Sequence, residues 1–222
     1  MDWILKFLGC GGESKKEEIP KENQKKEIPV PAVPQFREEE KGLSASDLEW
    51  NMVNQAIQRG VVTEFIFLKM IDYYVQPVWS ELFDRALRMN PTQEVIRAGF
   101  IRALALLDHR DCKTFPKVLT QLYTFKPDLN SIFKKEPEFI SIMIRWMDNL
   151  SGELQHFFFS KECRQEQKDA ALKAAILLEM QDKKYLEVAR QLIASGANQN
   201  TKVVRGGQEM TAGQWLHNLL PS

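Results

Sequence analysis

The residues from Asp108 to Cys112, "DHRDC", bring carboxylates, an imidazole and a thiol together within five positions. These are the side chains most often used for acid–base or nucleophilic chemistry. The segment falls, however, where a predicted helix ends, and a His, an Arg and a capping Asp are ordinary occupants of such a place. A helical enzyme with a site around Asp108, His109 and Asp111 is therefore the alternative to a non-enzymatic protein.

The other histidines and cysteines do not form a recognisable site. His156 and Cys163 are near each other in the chain, but no second pair of ligands completes a zinc site. Glycine-rich phosphate loops and nucleophile elbows are absent from the sequence. The three cysteines are an odd, widely spaced set, which predicts no disulfide framework and favours a reducing compartment. We expect no metal, no cofactor and no enzymatic activity.

Residues 1–12, "MDWILKFLGCGG", combine an apolar cluster with a cysteine. Such a segment can lie in a lipid interface, and Cys10 beside it could carry an acyl chain such as palmitate. A bacterial lipoprotein signal fits less well, because Asp2 is acidic and Lys6 interrupts the apolar run. The opposing hypothesis is that these apolar residues pack on the body as an N-terminal arm. The residues predicted to contact a membrane are Trp3, Ile4, Leu5, Phe7 and Leu8.

Residues 13–42 mix Lys and Glu with several prolines and few apolar side chains. A segment of this kind buries too little apolar area to offset the entropy lost on ordering. We therefore predict a flexible, disordered linker that precedes the folded body.

The charge balance limits the classes of partner. The chain has 30 basic and 30 acidic residues, so no net field draws it to nucleic acid. No apolar run approaches the ~20 residues needed to cross a bilayer. We expect a cytoplasmic protein whose membrane contact, if it has one, is peripheral and made through the N-terminus.

Residues 43–222 carry helical patterns separated by Gly, Pro, Asn or Asp. Ser46-Asp47 is a plausible N-cap for the first helix, and Gly60 is its expected stop. The run that begins at Val61 is apolar on nearly every face and predicts a central buried helix. No stretch has the alternation expected of a strand. We predict an all-α body of consecutive antiparallel helix pairs.

Two segments of the body resemble each other. Ala103 to Asn130 can be set over Ala174 to Asn200 with one gap, which places Leu106-Leu107 over Leu177-Leu178. Each copy reads as a helix, a short turn, a second helix and a loop that ends in Asn. Their separation is about two units of the ~33-residue period of helix-pair repeats. The residues between them hold a less regular pair, and "EMQDK" in the second copy lacks the His and the thiol of "DHRDC".

The second copy ends in "EVARQLIASGANQN", which resembles the second helix and loop of an ankyrin repeat, E-V-x-x-L-L-x-x-G-A-x-x-N. Gly196, Ala197 and Asn200 match the family's turn, where Gly leaves the helix in a left-handed conformation. The family's Thr-Pro and His are missing from the first helix. Residues 201–220 look like a finger loop followed by a truncated helix that starts at Thr211-Ala212. The resemblance implies a helix-pair solenoid of degenerate ankyrin repeats.

The expected function follows from that architecture. Stacked helix pairs offer a concave face and loop tips to a protein partner. We therefore predict a non-enzymatic scaffold, adaptor or regulator that is tethered to a membrane if the N-terminal segment acts as an anchor. Ankyrin repeats occur in eukaryotic scaffolds and in bacterial effectors delivered into eukaryotic cells, and the sequence does not choose between these or identify the partner.

Overall fold

The computed structural model describes residues 44–109 and 114–218, without the side chains of residues 108 and 109. This part of the chain is mostly helical, which confirms the predicted helical class. The helices are α1 (Ala45–Gln58), α2 (Glu64–Asp72), α3 (Trp79–Arg88), α4 (Gln93–His109), α5 (Thr114–Tyr123), α6 (Leu129–Lys135), α7 (Glu138–Arg145), α8 (Gly152–His156), α9 (Gln165–Leu178), α10 (Lys184–Ala194) and α11 (Ala212–Asn218). Two strands, β1 (Lys202–Arg205) and β2 (Gln208–Thr211), lie between α10 and α11.

Helix α1 shows how local sequence sets its two ends. The N-cap is Ser44, two residues before the predicted position, because Ser44 and Asp47 cap each other's backbone amides at 3.2 Å. At the other end Gly60 has φ +82°, and the amides of Gly60 and Val61 donate to the carbonyls of Ile57 and Ala56. This is a Schellman motif, and it stops the helix where the glycine predicted.

Helix α2 is less central than its composition suggests. It begins only at Glu64, because the Thr63 hydroxyl accepts from the amide of Ile66 and caps the helix there. Phe65 is 56% exposed and Val61, which precedes the helix, is 47% exposed. The prediction of burial on nearly every side is therefore wrong, and only the face with Phe67 and Met70 is buried.

The principal packing follows chain order. α4 packs against α2, α5 and α7, and α9 packs against α7, α10 and α11. The two similar segments therefore both lie on helix pairs, α4 with α5 and α9 with α10. Large apolar side chains such as Phe67, Phe100, Phe115, Phe133 and Phe158 are fully buried between these elements.

The two helix pairs share a tie between their ends. Gln93, the first residue of α4, donates from Nε2 to the carbonyl of Phe125, two residues beyond α5, at 3.0 Å. Gln165, the first residue of α9, donates from Nε2 to the carbonyl of Gly196, two residues beyond α10, at 2.9 Å. A long polar side chain thus closes the same end of each pair.

The region between the two pairs departs from the predicted pattern. Asn130, aligned with the loop residue Asn200, lies in α6, a short helix that the sequence did not predict and that Asp128 caps. Helix α7 ends at Arg145 and is followed by a 3₁₀ turn, Met147–Asn149. The segment after it forms only α8 and a second 3₁₀ turn, Phe157–Phe159.

A β-hairpin corrects the prediction that the body has no strands. β1 and β2 pair antiparallel, with Val203 opposite Met210, around the turn residues Gly206 (φ +58°) and Gly207 (φ +79°). Two residues with positive φ give the turn twist that closes short hairpins, and glycine adopts it at low cost. Val203 is fully buried, and its carbonyl accepts from the Trp215 indole at 3.2 Å.

Candidate functional site

The middle of the body, from α6 to the Phe157–Phe159 turn, is built from short elements. α5 has 10 residues and α10 has 11, whereas α8 has five. A one-turn helix covers less of the underlying core than its longer neighbours do. One groove consequently lies on the α5 side of α8 and another on its α10 side.

Aromatic packing anchors α8 between these grooves. Phe158 is fully buried and Phe157 is 5% exposed, and their rings lie 5.6 and 5.9 Å from that of Phe133 on α6. Both phenylalanines therefore belong to the core. His156 is instead exposed and lines both grooves.

The α5–α8 groove, about 830 Å³, lies between residues 123–130 and residues 153–162. Its floor includes three buried apolar residues, Pro127, Leu129 and Phe157. Its polar lining includes the carboxylates of Asp128, Glu153 and Glu162. A groove with an apolar floor and polar groups at its edge has the usual composition of a ligand site.

Asn130 joins the two sides of this groove. Its side-chain amide donates to the carbonyl of Glu162 at 2.8 Å, and its side-chain oxygen accepts from the amide of Arg164 at 3.0 Å. Both bonds use backbone groups of the segment just before α9. One asparagine side chain thus links α6 to the segment that precedes α9.

Two carboxylates of the groove affect the pKa of the Tyr123 phenol. Burial, followed by the negative charges of Glu162 and Glu153, raises the pKa of Tyr123. Neither Glu153 nor Glu162 forms an ion pair with any residue in the described part of the chain. The groove thus holds two carboxylates that form no ion pair with a lysine or arginine of the described chain.

The α8–α10 groove, about 330 Å³, differs in this respect. Lys184 on α10 places Nζ 2.7 Å from Asp148 Oδ2 and 3.7 Å from Asp182 Oδ2. The same ammonium lies 5.1 Å from the centre of the Tyr185 ring. Here the carboxylates and the aromatic ring already surround a cation.

A third depression, about 420 Å³, lies beside the corner between α2 and α3. Val78 there has φ +54° and is 54% exposed, and nearby Val75 is 71% exposed. A β-branched residue at positive φ is a strained conformation. Trp79 beside it is 8% exposed and donates from its indole to the carbonyl of Met70, so its ring belongs to the core.

The predicted turn residues lie at the end of the α9–α10 pair. Gly196 has φ +101°, and the amides of Gly196 and Ala197 donate to the carbonyls of Ile193 and Leu192 in a Schellman motif. Ala197 is buried, whereas Asn200 is exposed and its amide donates to Asn198 Oδ1 at 3.0 Å.

Sequence reasoning missed the residue that ties this turn to α9. Asp169 Oδ1 accepts from the amide of Asn198 at 2.7 Å, and Lys168 Nζ donates to the carbonyl of Ser195 at 2.9 Å. No motif identified these contacts beforehand, because helix and loop are about thirty residues apart in a repeat of this period.

The side chains of the alternative enzyme site around Asp108, His109 and Asp111 are not among those that the structure describes. Asp108 and His109 lie in the last turn of α4, where only the backbone is described, and Asp111 lies outside the described residues. Among the side chains that the structure does describe, no group of three or more His, Cys, Asp and Glu could hold a metal. Cys163 is buried, and burial raises the pKa of its thiol to about 11.

The predicted anchor, with Trp3, Ile4, Leu5, Phe7, Leu8 and Cys10, and the linker 13–42 also lie outside the described residues. Across residues 44–109 and 114–218, no helix combines the length and the apolar character that crossing a membrane requires.

Comparison of the chain with protein-family models, curated proteins and solved structures finds no match. The resemblance to ankyrin repeats thus rests on the residues of this chain alone.

Proposed function

We propose that the chain is a non-enzymatic interaction module, an ankyrin-like scaffold, adaptor or regulator that binds a protein partner. One observation carries the proposal: α2, α4, α7, α9 and α11 pack each against the next in chain order. A row of this kind is how repeat proteins extend a core in one direction. Rows of helices produce long outer surfaces that suit another macromolecule better than a small substrate.

The C-terminal part supports the ankyrin-like version of this proposal. α9, α10, the β1–β2 hairpin and α11 follow the order of helix pair, finger and next helix. Thr211 and Gln214 cap α11 reciprocally, through Gln214 N to Thr211 Oγ1 and Thr211 N to Gln214 Oε1. The amides of Ala212 and Gly213 also donate to the loop carbonyls of Thr201 and Gln199, both at 2.8 Å. The finger and the following helix are thus bonded into one unit.

The grooves beside α8 are the surface that we assign to the partner. They lie where the repeat pattern fails, and local failures of a pattern that holds elsewhere are typical of functional sites. The regular pairs on either side are each closed by a matched glutamine bond, from Gln93 and from Gln165.

Photo-crosslinking tests the proposal. A benzophenone amino acid would replace His156 at the grooves, or Glu94 at the start of α4, in the full chain. We expect His156 to give an adduct with one protein of the source cell that excess unmodified chain competes away, and Glu94 to give little of it. Absence of any competed protein adduct from His156 would contradict the proposal.

We also propose that residues 1–12 tether the module to a membrane through Cys10, an idea that the sequence alone supports. Cys10→Ser should move the full chain from the membrane fraction to the soluble fraction. Unchanged partitioning between variant and parent would rule out an acyl tether at this cysteine.

A further inference from the structure

We infer that the α5–α8 groove binds a lysine side chain presented by the protein partner. The inference rests on the proposed function and specifies the partner's chemistry at this surface. It is drawn from a comparison of the groove with two places where this chain surrounds its own lysines.

The first of these places is the neighbouring α8–α10 groove. Lys184 lies there between the carboxylates of Asp148 and Asp182, with the Tyr185 ring 5.1 Å from its ammonium. The second joins α1 to α2. Lys69 Nζ lies 2.8 Å from Glu49 Oε2, which also accepts from the Tyr73 hydroxyl at 2.7 Å. The ring beside the Lys69 ammonium is that of Phe65, whose centre lies 5.8 Å away. In both places one or two carboxylates and a nearby aromatic ring surround one ammonium, an arrangement that charge-assisted hydrogen bonds and cation–π contacts favour.

The α5–α8 groove has carboxylates and a phenol, but no ammonium of the described chain lies within ion-pair distance of its two glutamates. Glu153 and Glu162 act electrostatically on the Tyr123 phenol, and neither carboxylate forms an ion pair with a described residue. Asp128, which also lines the groove, accepts from the amide of Ser131 as the cap of α6.

The other charged or titratable groups that line the groove do not neutralise it. The groove is lined by three carboxylates and one ammonium, that of Lys126. Lys126 is exposed and forms no ion pair in the described part of the chain. His156 is the remaining titratable lining group, and it lies on the ridge between the two grooves. The groove therefore attracts a cation from outside.

The floor of the groove favours a lysine over a small cation. Pro127, Leu129 and Phe157 contribute apolar atoms to the lining of the groove. A lysine side chain packs its methylene groups along such a surface while its ammonium stays with the oxygens. A hydrated metal ion would gain nothing from that floor.

The test uses the full chain and two blocked pentapeptides, one with lysine at its centre between alanines and one with acetyl-lysine there. Acetylation keeps the four methylene groups of the side chain and removes the charge of its amine. In ¹H–¹⁵N spectra we expect the lysine peptide to shift the amides of Tyr123, His156 and Glu162. The acetylated peptide should bind more weakly by at least about threefold, the effect of an exposed ion pair.

A double variant, Glu153→Gln with Glu162→Gln, should lose this preference for lysine. The matched control, Glu64→Gln with Glu94→Gln, removes two exposed carboxylates elsewhere and should keep it. A dispersed spectrum of the groove variant would show that its fold persists. A lower pKa of Tyr123 in that variant would show that the two carboxylates lie near the phenol.

Equal binding of the two peptides, no shift of groove amides, or shifts that persist in the groove variant would overturn the inference. Groove shifts that depend on protein concentration would overturn it in favour of a second copy of the chain. If any of these results were obtained while the benzophenone at His156 still gave a protein adduct that unmodified chain competes away, the proposed function would stand. Only the inference that the groove binds a lysine would then be rejected.

Discussion

At the scale of single residues, Gly196 decides how α10 ends. Its φ of +101° is costly for a residue with a Cβ, although no neighbouring atom would collide with one. We expect Gly196→Ala to lower the free energy of unfolding by about 1 kcal/mol, for backbone reasons alone. Gly152, where a Cβ also meets open space, has no positive φ. Chemical denaturation should show that Gly152→Ala is neutral or slightly stabilising, and an equal loss from both would contradict this explanation.

Glu136, between α6 and α7, gives a pH-dependent prediction. Burial and the neighbouring Glu138 carboxyl raise the pKa of Glu136. A raised folded-state pKa means that this group favours the folded chain at low pH and loses that effect as pH rises through its folded pKa. Glu136→Gln should therefore stabilise the chain at pH 7 by up to about 0.5 kcal/mol. Thermal melts at pH 7 and at about pH 3.5, below the ordinary glutamate pKa, should show the gain only at pH 7. A stabilisation of the same size at both pH values would show that the protonation of Glu136 is not its cause.

At the scale of elements, Gly99 sets how closely α4 approaches α2. A Cβ there would lie 2.5 Å from Phe67 Cε1 and 3.2 Å from Ile71 Cδ1, and both side chains are fully buried. Gly99→Ala should therefore destabilise the chain by about 1–3 kcal/mol, as overpacking does. Combining it with Phe67→Leu should cost less than the sum of the two single changes, because the smaller side chain leaves room. Additive costs in a denaturation cycle would count against the steric explanation.

At the scale of the whole molecule, position along the packing order predicts local stability. α11 packs mainly on α9 and β2 and buries only Ala212 among its described side chains, whereas α4 packs against three other helices. End elements of such a row open at lower free energy than central ones. Hydrogen exchange should therefore be faster for the amides of α11 than for those of α4 between Ile96 and Leu104. Equal protection of the two helices would indicate all-or-none opening and contradict a linear packing order.

How much was predictable differs between the fold and the site. The helical class, the stop at Gly60 and the paired helices around Leu107 and Leu178 follow from periodicity and helix-end residues, which act locally. The β-hairpin was missed although Gly206-Gly207 marked its turn, because four-residue strands leave little room for an alternating pattern. The candidate groove was not predicted at all. Its residues come from α5, α6, α8 and the segments next to these helices, and only packing brings Tyr123 near Glu153 and Glu162.

The sequence by itself determined where α1 and α10 end, because the left-handed glycines Gly60 and Gly196 act on backbone groups within a few positions. It also determined the balanced charge and the apolar residues available for a core. Only the tertiary structure decided that α8 lies between two grooves, that Asn130 joins α6 to the start of α9, and that two glutamates without an ion pair in the described chain line one of these grooves. These facts depend on contacts between residues about thirty positions apart, which the spacing of residues along one helix does not specify.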